Sequence, residues 1–73
     1  MTKKEAERSI HHIAKENGTT EQEVRNEMMI AIRAAMNNPD PKVQEQWKHF
    51  RFEGTEPTPE EFMIYVAQRV ENL

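Results

Sequence analysis

Apolar residues fall along the chain in four stripes of helical period, each bounded by residues that start or stop a helix. Ala6, Ile10, Ile13 and Ala14 keep the i, i+4, i+7, i+8 spacing of one helix face, over about residues 3–17. Val24, Met28, Ala31, Ile32 and Ala35 repeat the pattern over 20–36. Val43, Trp47 and Phe50 mark a shorter helix over 40–50, and Phe62, Val66, Val70 and Leu73 give the inward face of a last one over 58–72. A helix hides such a stripe only by packing on another element, so the pattern predicts one small all-α domain of four helices.

The residues between the stripes agree with this division. Gly18 supplies the left-handed position that ends many helices. Thr20-Glu21-Gln22-Glu23 has the form of a capping box, in which hydroxyl and carboxylate satisfy the open amides of a first turn. Asn37-Asn38-Pro39 stops the second helix, because proline has no N–H to donate. Asp40 is an N-cap with Pro41 in the first turn, and Thr58-Pro59-Glu60-Glu61 repeats the capping signature. From Arg51 to Pro57 the chain reads as a connector containing Gly54, with Phe52 folded inward.

Only Asn17-Gly18-Thr19 separates the first two helices, which is the layout of a helix-turn-helix. In that motif the second helix reads the major groove of DNA with its N-terminal residues. Ile13-Ala14-Lys15, Thr19-Thr20, Val24, Ala31-Ile32 and Ala35 resemble the helix-turn-helix in the C-terminal effector domain of the master sporulation response regulator of endospore-forming Firmicutes. Pro57-Thr58, Glu61-Phe62 and Val66-Ala67 are similar to the start of that domain's last helix. The resemblance covers roughly residues 5 to 72. It implies an all-α, DNA-binding transcription regulator that reads sequence through its second helix. At the positions where that family reads bases with charged and imidazole side chains, this chain has Arg25, Asn26, Met29 and Ile30.

On a helical wheel the second helix turns Gln22, Arg25, Asn26, Met29, Arg33 and Met36 away from its core stripe, with Ile30 at the edge. As a DNA-binding set, Gln22, Arg25, Asn26, Met29 and Arg33 offer a fork for guanine, amides for adenine and an apolar contact for a thymine methyl. Lys15, Lys42, Lys48 and Arg51 are the candidate phosphate contacts, which position without specifying. Glu21, Glu23 and Glu27 on the same helix oppose a polyanion, and a solvated face is the plainer reading. A third reading takes Met29, Ile30 and, on the last helix, Ile64 as an interface for a protein partner, either a second copy or a related regulator.

Composition sharpens these alternatives. Seventy-three residues make one domain with a thin core, and no cysteine is present to staple it. Oligomerisation is then the common remaining device. The formal charge is −3, with nine Lys/Arg against eight Asp/Glu up to residue 52 and one against five beyond it. This weakens non-specific attraction to nucleic acid. No apolar run is long enough to span a membrane, and Met1-Thr2-Lys3-Lys4-Glu5 lacks a secretory h-region, so a cytoplasmic protein is expected.

Little points to catalysis. His11, His12 and His49 lack metal-ligand spacing, since adjacent histidines on a helix diverge by about 100°. The lone serine is Ser9, both glycines sit in turns, and the pairs Glu60-Glu61 and Glu53/Glu56 read as cap and loop chemistry. The aromatic stripe of Trp47, Phe50 and Phe52 reads as core. Neither enzyme activity, nor a cofactor, nor a metal site is expected.

Overall fold

The computed structural model describes residues 1–71, which form α1 (Lys3–Glu16), α2 (Glu21–Met36), α3 (Pro41–Lys48) and α4 (Pro59–Glu71). The all-α class follows, with no strand among the described residues. The helices start where the sequence places their caps; α1 and α2 are each one residue shorter and α3 three residues shorter than expected, largely because cap residues lie outside the helical ladder, and the expected end of the last helix at residue 72 lies outside the described residues. Thr20, Asp40 and Thr58 all sit one residue before their helices, and α3 ends at Lys48, so that Phe50 leaves the helix.

Local chemistry fixes these boundaries. Thr58 and Glu61 exchange hydrogen bonds at the start of α4, Glu61 N–H to Thr58 Oγ1 at 3.2 Å and Thr58 N–H to Glu61 Oε1 at 2.9 Å. The start of α1 holds the same reciprocal pair between Thr2 and Glu5, at 3.2 and 3.0 Å. At α2 only half the box forms. Thr20 Oγ1 accepts from Glu23 N–H at 3.1 Å, while the Glu23 carboxylate turns to the Thr19 hydroxyl. Between α1 and α2, Gly18 adopts φ +64°, Thr19 N–H donates to the Ala14 carbonyl at 2.9 Å and Gly18 N–H to Lys15 at 3.3 Å. These two bonds are a Schellman turn, and they close the carbonyls that α1 would otherwise leave open.

α1 packs on α2, α4 packs on both, and the backbone of α3 comes close to α2 alone. The buried centre is Ile10, Ala14 and Val24, with Met28 and Met63 lying against it. Ala6, Ile32 and Phe50 complete the buried apolar set. A second cluster is aromatic. Phe50 stands 4.3 Å from the Tyr65 ring, 5.5 Å from Phe52 and 5.5 Å from Trp47. Trp47 in turn donates its indole N–H to the Ala35 carbonyl at 3.2 Å. Gln44 Nε2 donates to the Met36 and Asn38 carbonyls at 2.8 and 2.7 Å, so α3 is tied to the open end of α2 and to the turn that follows it.

Two expected core faces are corrected. Ile13 and Ala31, read as inward, lie at the surface, Ile13 being 38% exposed. On α4 Phe62 is half-buried, but Val66 and Val70, which continue its stripe, are not on the buried face. Val66 is 42% and Val70 63% exposed, whereas Pro59 and Glu60 are buried and Met63, Ile64 and Ala67 are half-buried. The helix is therefore turned so that Met63 meets the α1–α2 core. Leu73, the fourth member of that stripe, lies outside the described residues. Trp47 and Phe52 are half-buried, and only Phe50 of the three is fully enclosed.

Candidate interaction site

The surface of α2 differs from the wheel reading by a rotation. Its half-buried flank takes in Arg25, Met29 and Met36, while the exposed side carries Gln22, Asn26, Ile30 and Arg33 beside Glu23, Glu27 and Ala31. Met29, a candidate for both DNA and partner contact, is thus partly enclosed, as is Ile64 on α4. Ile30 is 66% exposed, the most open large apolar side chain that the described residues carry. Gln22 Nε2 donates to Asn26 Oδ1 at 2.9 Å, one turn along, so the two amides present a joined polar strip.

Both arginines of α2 are already engaged. Arg33 forks onto Glu56 of the connector, Nη2 to Oε1 at 2.8 Å and Nε to Oε2 at 3.1 Å. That bidentate hydrogen bond holds the Glu56 carboxyl below its ordinary range and raises the guanidinium further. Arg25 forms an ion pair with Glu60 Oε1. Glu60 is only 4% exposed, and its Oε1 makes no oriented hydrogen bond, so the guanidinium charge is what offsets its burial. Cap chemistry accounts for Glu61 but not for Glu60. The Glu61 carboxylate accepts from Thr58 and Glu53 N–H groups, chiefly Thr58, which lowers its pKa. No sequence signal joins Arg25 to Glu60 or Arg33 to Glu56, because the partners lie 35 and 23 residues apart.

The candidate phosphate contacts Lys15, Lys42, Lys48 and Arg51 are all exposed, and Lys48 stands 3.5 Å from Glu45. The histidines each face one carboxylate, His11 to Glu21 at 3.6 Å, His12 to Glu16 at 3.0 Å and His49 to Glu45 at 3.6 Å. Among the described residues no three metal-ligating side chains converge, and no helix is long and apolar enough to cross a membrane.

A surface that periodicity missed lies between α3 and α4. The backbones of these helices stay apart, and Trp47 meets Phe62 across the gap with ring centroids 6.3 Å apart. Val43, Trp47, Phe62, Val66 and Val70, with Ala35 at the end, line an open groove. Among the described residues its one charged lining residue is Arg69, whose guanidinium lies 5.6 Å from the Tyr65 ring centroid and donates to the Tyr65 hydroxyl at 3.0 Å. Comparison with protein-family models, with curated proteins and with solved structures gives no match to this chain.

Proposed function

We propose that this chain is a protein-docking module whose α3–α4 groove takes an amphipathic helix of a partner protein. The partner helix lays apolar residues on Trp47, Val66 and Val70 and brings a carboxylate to Arg69. One observation carries the reading: Val66 and Val70 stand 42% and 63% exposed over an aromatic floor. Burying them in a complex removes apolar surface from water, about 25 cal/mol for each Å². Arg69 supplies the charge complementarity, as the only cation among the described residues that line the groove.

A photo-crosslinking residue at Val70, compared with one at the exposed Gln68, tests this in living cells. Adducts at position 70 that map to an apolar helix bearing Asp or Glu, and that vanish with Val66→Asp, support it. Equal labelling from both positions overturns it. Adducts to a second copy of this chain identify the partner as itself.

The second reading is a DNA-binding helix-turn-helix of the sporulation-regulator effector type. What favours it is the exposed Gln22–Asn26 strip on α2, which follows directly on the Gly18 turn. Amides of this kind pair with adenine edges. An anisotropy titration with random duplex DNA at low salt is its test, and saturable binding lost in Gln22→Ala/Asn26→Ala is the expected result.

A further inference from the structure

Arg25 and Arg33 are eight residues apart on α2, about 12 Å along its axis. Both are gripped by carboxylates four residues apart, Glu56 and Glu60, at the entrance to α4. The fork with which Arg33 holds Glu56 is the geometry with which arginine holds a phosphate. We propose that Arg25 and Arg33 form a latent binding pair for the phosphates of duplex nucleic acid, kept closed by Glu60 and Glu56 as internal occupants. This inference rests on the nucleic-acid reading of α2 and is independent of the groove.

The two pairs differ in strength. Arg33 and Glu56 are 56% and 38% exposed in their side chains, so water and salt screen the contact and an outside anion can exchange into it. Arg25 is 34% exposed and Glu60 5%, which makes that pair the firmer closure. Releasing it exposes the second cation only when the first turn of α4 yields.

The spacing selects the ligand. The two arginines leave the helix about 12 Å apart along its axis and about 80° apart around it, so the pair suits a molecule with repeated phosphates better than a single phosphate group. Gln22 and Asn26 lie on the same exposed face of α2 as Arg33, with Arg25 on the neighbouring flank, and offer hydrogen bonds to base edges, which a simple polyphosphate does not have. Glu27 and Glu23, on the other edge of the exposed side, hold the affinity of the closed form down.

Fluorescence anisotropy with a labelled random-sequence duplex at low salt tests the proposal. It compares the natural protein, E56Q, E56Q/E60Q, and E56Q/E60Q combined with R25Q/R33Q, each checked for helicity by circular dichroism. E56Q/E60Q is expected to bind on the order of tenfold tighter than the natural protein. Its salt slope steepens by about 1.8, for two recovered phosphate contacts, and the added arginine changes abolish the gain. E56Q alone shows a smaller gain and needs no buried change. The control E7Q/E71Q alters net charge equally at exposed positions away from α2, and is expected to gain little.

Equal gain in that control, or unchanged binding in a folded E56Q/E60Q whose parent also binds, overturns the internal closure while the nucleic-acid reading stands. Failure of every variant to bind at any concentration removes the nucleic-acid reading, and this inference with it.

Discussion

The two helix pairs of this domain each carry apolar stripes and end in different states. α1 and α2 close on each other around Ile10, Ala14 and Val24, and the turn between them satisfies its own carbonyls. α3 and α4 remain apart, bridged by the rings of Trp47 and Phe62, with Val66 and Val70 left facing water. Residue size explains the difference better than hydrophobicity. Ala6 and Ala14 on α1 let backbones approach, whereas indole and phenyl groups hold the second pair open. Where helices come together the chain gains a core, and where rings prop them apart it gains a surface.

The comparison is broken first by large truncations. Phe50→Ala removes the ring on which Trp47, Phe52 and Tyr65 converge, and is expected to destabilise by about 3–5 kcal/mol in chemical denaturation. Ile10→Ala, in the closed pair, should follow at about 2–5 kcal/mol. If Phe50→Ala proves the milder change by a wide margin, the aromatic half is loosely held and its groove adjusts to what it binds. Thr58→Ala should cost about 1 kcal/mol, through loss of the cap at the start of α4.

Acid sharpens the contrast. Arg33 holds the folded-state Glu56 carboxyl below its unfolded value, so the pair's contribution is complete above the ordinary carboxylate range and is lost as pH falls through the lowered value. In Glu56→Gln that share of the acid-induced drop in Tm disappears, while the share from Glu5 and Glu61, lowered by their cap hydrogen bonds, persists. The smallest stability effect belongs to Val70→Asp. An exposed position of this kind should shift stability by no more than about 0.5 kcal/mol. The same change should abolish adducts from a photo-crosslinking residue placed at Val43 on the opposite wall of the groove, which separates a surface role from a structural one.

How much could be read in advance follows the range of the forces involved. Caps act over three residues, so Thr20, Asp40 and Thr58 announce their helices, and Thr2 with Glu5 carries the same T-x-x-E pattern. Gly18 is legible because few other residues accept a positive φ. The rotation of α4 is not legible. Phe62 through Ala67 are apolar without interruption, so periodicity cannot choose between the Phe62–Val66–Val70 face and the Met63–Ala67 face. Only packing on α1 decides. The Arg25–Glu60 and Arg33–Glu56 contacts are products of the same docking. They turn the expected DNA-reading arginines into internal partners of the acidic last third.

The indole hydrogen bond to Ala35 has one more implication. Trp47 is the sole tryptophan, anchored at the polar end while its ring forms the groove floor. The molecule thereby carries its own optical gauge. Occupancy of the groove should move emission toward the blue and slow quenching by acrylamide, with no dye attached.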